Sequence, residues 1–262
     1  MTQKGTFFHQ KKYELSYQIF GTGPETLLCF HGFGQDASVF QQLTKKFINH
    51  RIISFDLPFH GESEFPLEQV QQTLWKEMAS GLFDHFHIET CKVVAYSLGG
   101  RFAIRLAMDY PEKLEEVIFI AADGFHYTGI YQFATSVIGR RLVKYILKNP
   151  EKLFRLSELM AKYGVVNNSV VKFARSQLDK KAHRIKVYNS WVYLKALKTS
   201  QRDLCRSLNN SQLKISVYVG EKDYVIKESY FDFLMANYIG TQKTVLPLRH
   251  HEMIGGVVRI PE

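Results

Sequence analysis

Three cysteines in 262 residues (Cys29, Cys91 and Cys205) are too few and too scattered to staple a fold. Unpaired thiols in odd number, two of them at or beside apolar strands, predict reduced structural residues of a cytoplasm-like compartment. None is accompanied by a sharp strand–helix turn and a partner histidine, which argues against a cysteine nucleophile. No run of about 18 uncharged apolar residues occurs, so no segment reads as a membrane-spanning helix. Met1 to Tyr13 is polar and lacks an apolar stretch. No signal peptide is visible there, and a cytoplasmic location is expected. Internal repeats, low-complexity tracts and His/Cys/Asp clusters at metal-ligand spacing are missing too, so neither a metal nor a cofactor is expected.

What is present is an ordinary globular composition, 45% hydrophobic and 23% charged, with enough length for a large core. The net charge of +9 is unevenly placed. Between Phe125 and Gln212 stand 17 Lys and Arg against 4 Asp and Glu, a net of +13, leaving −4 for the rest of the chain. A Lys-rich solvated helix surface accounts for such an excess. It also suits steering of an anionic substrate, or weak contact with an anionic membrane surface. Nucleic acid is disfavoured, because no recognised binding motif accompanies the charge.

Tyr13–Phe20 alternates like a strand and ends at the turn Gly21-Thr22-Gly23-Pro24. Continuous apolar runs at Thr26–Phe30, Ile52–Phe55, Cys91–Ala95, Val117–Ala121 and Ile215–Val219 predict parallel strands buried on both faces. A last strand is expected at Lys243–Leu248. Helical spacing appears between them, as in Leu67, Val70, Leu74, Met78, Leu82 and Phe86. This alternation predicts an α/β fold with a doubly wound, mostly parallel sheet. From about Tyr127 to Arg206 the rhythm changes to four helix-like segments, near 133–148, 151–163, 168–178 and 184–198. The expected organisation is a core of residues 1–124 and 207–262, with 125–206 inserted as a helical lid over the strand ends. The aromatic and aliphatic residues of that insertion (Tyr145, Phe154, Met160, Tyr163, Phe173, Tyr188, Trp191) read chiefly as packing between its helices.

Residues 92–100 run Lys-Val-Val-Ala-Tyr-Ser-Leu-Gly-Gly, a short apolar strand leading into a tight turn with Ser97 at its apex. A helix-like segment follows at once and stops before Pro111. Such a turn is a nucleophile elbow, which pushes the apical side chain out above the sheet edge. A serine hydroxyl needs a base, and a base of this kind needs an orienting carboxylate. Asp223 follows the strand Ile215–Val219, and His250 and His251 follow the last strand, so both types emerge where parallel strands end.

These features resemble the α/β-hydrolase superfamily, and the resemblance covers nearly the whole chain. His31-Gly32-Phe33-Gly34, the stretch Asp56-Leu57-Pro58-Phe59-His60-Gly61-Glu62-Ser63, the elbow, and the late Asp and His appear in the family's order. The resemblance implies Ser97 as nucleophile, Asp223 as the orienting acid and the backbone N–H groups of Phe33 and Leu98 as an oxyanion hole. It implies His251 as general base, since the family's usual Gly-His step aligns Gly with His250. Asp123, after Val117–Ala121, competes with Asp223, because some members take their acid there. His31 and His60 are expected to stabilise turns.

Three departures stand out. Ala95 replaces the first elbow glycine. Phe59 replaces a glycine, which puts an aromatic near the site or its rim. The sequence stops eleven residues after His251, where members usually continue into a helix, so a short or incomplete terminus is expected. The resulting reading is a serine hydrolase acting on a carboxylic ester or thioester of a small molecule through an acyl-enzyme. A second reading comes from Tyr96-Ser97-Leu98-Gly99-Gly100-Arg101 with Asp56-Leu57-Pro58. This pattern is similar to the menaquinone-pathway synthases that form succinyl-hydroxycyclohexadiene-carboxylate by using the triad as a base. That likeness implies a substrate-binding role for Arg101, and Phe59 is a candidate substrate contact. A third is a non-catalytic ligand-binding protein of the same fold.

Overall fold

The structure, a computed structural model, describes residues 2–148, 150–163, 175 and 180–260. Its centre is an eight-stranded sheet in the order β1-β2-β4-β3-β5-β6-β7-β8. The strands are β1 (Gln3–His9), β2 (Tyr13–Phe20), β3 (Glu25–Phe30), β4 (His50–Phe55), β5 (Cys91–Tyr96), β6 (Leu114–Ile120), β7 (Lys214–Gly220) and β8 (Thr241–Leu246). From β4 through β8 every pairing is parallel, while β1 and β2 run antiparallel at one edge. Ile52, Ile53, Leu27, Leu28, Val93, Val94 and Phe119 are fully buried, as continuous apolar strands covered on both faces should be.

The helices are α1 (Gln72–His85), α2 (Gly99–Asp109), α3 (Gly129–Ala134), α4 (Val137–Lys148), α5 (Pro150–Lys162), α6 (Lys181–Tyr193), α7 (Gln201–Ser207), α8 (Asp232–Asn237) and α9 (Met253–Arg259). Successive contacts link α1, α2, α7 and α8, and α9 packs separately with the 3₁₀ segment Ala37–Lys45. Trp75 on α1 closes the first group, its indole N–H donating to the Phe102 carbonyl at 3.2 Å.

Strand β1 has no counterpart in the expected strands. Phe7 is its one buried side chain, so the segment carries no apolar alternation. Its hairpin turns at Gln10 and Lys11, with φ of 52° and 53°, a left-handed geometry usually announced by Asn-Gly. β8 also ends two residues earlier than expected.

The chain divides into two compact units. One comprises residues 1–66, 70–126 and 196–262, and the other 67–69 and 127–195. The second is built mainly of helices in its described residues from 127 to 195. Its first expected segment is broken into α3 and α4 because Thr135 Oγ1 bonds back to the Tyr131 carbonyl at 2.9 Å. Ser136 Oγ then accepts the Gly139 N–H at 3.0 Å, opening a new helix. α5 starts on Pro150, where a missing N–H costs nothing. The segment expected at 168–178 lies outside the described residues except for Arg175, as do Phe173 and the Met160 side chain.

The thiols of Cys29 and Cys91 are buried in the middle of the sheet. Burial pushes the Cys29 pKa well up and that of Cys91 up to about 12, whereas Cys205 on α7 is half-exposed with a smaller rise. Among the described residues no helix is long and apolar enough to cross a membrane.

Candidate active site

Parallel strands deliver the residues after β3, β5, β6, β7 and β8 to one edge of the sheet. Ser97 follows β5 directly and adopts φ of 48°, the left-handed backbone of a sharp strand-to-helix turn. Ser97 N–H donates to the Ile120 carbonyl at 3.2 Å, and its own carbonyl accepts from Gly100 and Asp123 at 2.9 and 2.8 Å. A Cβ at Gly99 would lie 2.0 Å from the Phe30 carbonyl oxygen, so only glycine lets α2 start this close to β3. Ala95 sits in regular paired strand between Phe30 and Phe119, which is why its methyl group causes no conflict.

The Ser97 hydroxyl meets an imidazole, but not the expected one. His250 Nε2 lies 3.1 Å from Ser97 Oγ, and His250 Nδ1 lies 2.6 Å from Asp223 Oδ2. His251 is exposed and turns away. That His250 faces Ser97, and His251 does not, has a local cause. Glu221 and Lys222 N–H groups donate to the Leu246 and Leu248 carbonyls, fixing the end of β8 against the loop that carries Asp223. The chain then enters a single 3₁₀ turn at His250–Glu252, where consecutive side chains diverge by about 120°, and only one can face Ser97. Glu252 closes that turn by accepting the Arg249 N–H at 2.8 Å, a bond that holds its carboxyl pKa below the usual range.

Asp223 is the carboxylate brought to the imidazole. Its side chain is fully buried; Oδ1 accepts the Val225 and Ile226 N–H groups at 2.7 and 2.9 Å, leaving Oδ2 for His250. Asp123 is committed elsewhere. Its Oδ2 takes both Nε and an Nη of Arg101, at 2.8 and 2.7 Å, and its Oδ1 accepts the Gly124 N–H. Arg101, expected to reach substrate, is buried against that carboxylate. Tyr96 was not singled out from the sequence. Its hydroxyl donates to the His250 carbonyl at 2.9 Å and its ring packs 5.2 Å from the imidazole. Burial raises the Tyr96 pKa, with the Asp223 charge adding to it, so this phenol stays protonated and a donor.

The loop after β3 is set from behind. Leu57 N–H donates to His31 Nε2 at 3.0 Å, which puts the proton on Nδ1, where it is donated to the Gly32 carbonyl at 2.7 Å. His60 stacks edge-on with both His31 and Phe33. Among the described residues, the N–H groups of Phe33 and Leu98 donate to no protein acceptor. Asp56 organises the neighbouring turn, its two oxygens accepting Ala37 and Glu62 N–H at 2.6 and 2.8 Å. Phe59, with φ of 68°, occupies a left-handed position that favours glycine, and its ring packs 6.1 Å from Phe65. Replacing Asp56 with Ala strands the buried Ala37 N–H and frees the part-buried Glu62 N–H. The expected cost is about 2–3 kcal/mol, read as a lower urea midpoint at unchanged slope.

Chemically, a hydroxyl beside an imidazole held by a buried carboxylate can surrender its proton while attacking an electrophile. Among the described residues no group of three His, Cys, Asp or Glu side chains is placed to hold a metal ion.

The chain is similar to known proteins in different degrees. A protein of Bacillus subtilis (strain 168), provisionally named 2-succinyl-6-hydroxy-2,4-cyclohexadiene-1-carboxylate synthase, is 29% identical over 107 residues, 39% of each chain. The pimeloyl-[acyl-carrier protein] methyl ester esterase of Proteus mirabilis (strain HI4320) is 32% identical over 111 residues, 42% of this chain and 41% of its own. These matches therefore span about two fifths of the relatives' length. A thermophilic esterase from Thermogutta terrifontis superposes with a TM-score of 0.70 at 17% identity, covering 98% of this chain and 96% of that one, a likeness of fold. The model of the alpha/beta hydrolase fold matches residues 25–160, a stretch that carries the His31 loop, the Asp56 turn and the Ser97 elbow. Over half of the sequence thus fits one family pattern and the sheet order agrees with it: the chain belongs to the alpha/beta hydrolase fold family.

Proposed function

We propose that this protein is a serine hydrolase that cleaves a carboxylic ester or thioester of a small molecule. The observation that carries this reading is the continuous relay Asp223–His250–Ser97, closed by contacts of 2.6 and 3.1 Å on a left-handed serine. Ser97 Oγ attacks the carbonyl carbon as its proton passes to His250 Nε2. Asp223 holds Nδ1–H and balances the imidazolium charge. The oxyanion that forms is received by the N–H groups of Phe33 and Leu98, donors of a kind worth about 3–4 kcal/mol each. His250 returns the proton to the departing alcohol or thiol, leaving an acyl-Ser97 ester. Water repeats the sequence, releasing the carboxylic acid and restoring the hydroxyl. The Proteus mirabilis esterase, similar over two fifths of its length, supports ester cleavage as the reaction class.

A fluorophosphonate probe tests this directly. The expected result is one covalent adduct, located on Ser97 by peptide mass and absent from Ser97→Ala. Failure to label a preparation that is cleaving short-chain p-nitrophenyl esters would reject the acyl-enzyme.

The similarity to the Bacillus subtilis protein favours a second reading, in which the same relay abstracts a proton and eliminates pyruvate without an acyl-enzyme. Pyruvate released from the menaquinone precursor, with no turnover of esters, would favour that reading. Against it stands the Arg101 guanidinium, which the second reading needs for substrate and which is buried on Asp123.

A further inference from the structure

Within the helical unit, α3 and α4 carry large apolar side chains that are exposed. Gly139 is buried where α4 crosses α3, with its Cβ position against the Phe133 carbonyl, and Val143, Ile146 and Leu147 line the half-buried side of α4. The adjoining side is exposed and apolar in a stripe. Ile138 (73% exposed), Leu142 (45%) and Tyr145 (57%) follow the four- and three-residue spacing of one helix face, and Phe133 and Val137 extend it. Arg141 and Lys148 are exposed along one edge of the stripe, with Arg140 and Lys144 exposed further round the helix. Among the described residues none of these four pairs with a carboxylate. The sequence has no Asp or Glu from Gly124 to Pro150.

The combination discriminates between occupants. A merely solvated face mixes both signs of charge and leaves large aliphatic side chains scattered. An acidic protein would be matched by the four cations alone. An apolar stripe flanked along one edge by unopposed cations is complementary to a bilayer, whose phosphates meet the charges while its headgroup boundary takes up the apolar side chains. We propose that this face docks the protein, reversibly, on an anionic lipid bilayer. Ile138, Leu142 and Tyr145 enter the headgroup region, and Arg141 and Lys148 sit on lipid phosphates, with Arg140 and Lys144 adding only longer-range attraction. One short helix gives weak attachment, so binding depends on both components.

Co-sedimentation of the full chain with vesicles tests both. Vesicles of equal parts phosphatidylcholine and phosphatidylglycerol are expected to bind at least about tenfold more tightly than pure phosphatidylcholine, and less tightly as salt rises. Arg141→Glu with Lys148→Glu removes the preference. Ile138→Ser with Leu142→Ser, at constant charge, weakens binding about fivefold or more, and Ile138→Ser alone by a smaller factor. All variants are expected to keep the wild-type unfolding midpoint and ester turnover in solution. Equal binding to both vesicle types, or none, would overturn the proposal. So would binding that the serine variants leave unchanged, or association with soluble polyglutamate as strong as with vesicles, which would assign the face to an acidic protein.

Discussion

Replacing His250 with Ala is expected to lower kcat for ester cleavage by about 10⁴–10⁶-fold, while His251→Ala changes it by no more than about twofold. Two adjacent histidines of identical chemistry make this a clean comparison. Nε2 of His250 is 3.1 Å from Ser97 Oγ, and its Nδ1 is held by a carboxylate without exposure. Without that imidazole the hydroxyl has no acceptor for its proton at neutral pH. Asp223 would then be left facing the vacated space with its two backbone donors. His251 contributes only an exposed ring, so its loss is a surface substitution. Steady-state turnover of a p-nitrophenyl ester, with the burst of acylation followed in the first turnover, separates the variants. The reverse ranking would restore the base to His251 and require the 249–252 turn to rotate by one residue.

The second large effect concerns stability. Arg101 is 5% exposed and its Asp123 partner 23%. Removing one member of such a pair costs more than the pair contributes, because the other charge stays behind. The two sides are unequal. Arg101→Met leaves a carboxylate that water reaches and that retains the Gly124 N–H, for a cost of about 1–2 kcal/mol. Asp123→Ala strips the carboxylate from a buried guanidinium and also loosens the loop after β6, for about 3–5 kcal/mol. A fall in Tm on the order of 10 °C is expected for Asp123→Ala and a few degrees for Arg101→Met. Residue 123 donates its backbone N–H to the Ser97 carbonyl, so loosening of this loop in Asp123→Ala, which keeps the N–H but not its anchorage, is expected to reduce kcat at permissive temperature with little change in KM. If Arg101→Met kept full stability but raised KM only for carboxylate-bearing substrates, the guanidinium would be a substrate contact instead.

The central parallel strands were legible because a strand buried on both faces is apolar through its buried stretch, as at Leu27–Phe30, Ile52–Ile53, Val93–Ala95 and Val117–Ile120. The Ser97 elbow was legible because its tight approach admits only small residues after the apex, and Gly99 and Gly100 record that. Asp223 was legible for the same positional reason, at the end of a strong strand. What failed was local register. Which of two histidines faces Ser97 depends on where β8 stops and how the following 3₁₀ turn is pinned by Leu248 and Glu252, and these are backbone bonds that leave no mark on composition. Strand β1 was hidden because its stability comes from pairing with β2 and one buried phenylalanine. Arg101 illustrates another limit. Its place beside the elbow was readable, but its partner lies 22 residues along the chain, and the sheet alone brings the two together.

Cys29 and Cys91 lie on β3 and β5, the paired strands beneath the His31 loop and the Ser97 elbow. With both thiols buried and their ionisation pushed upward, alkylating reagents at neutral pH find almost no thiolate there in the native protein. Each becomes reactive only when the middle of the sheet opens, an event that also dismantles the elbow. Cys205, half-exposed on α7, modifies independently of that opening. The chain thus carries its own two-channel reporter: a surface thiol that marks every molecule, and a central pair whose labelling rate counts how often the sheet supporting Ser97 comes apart.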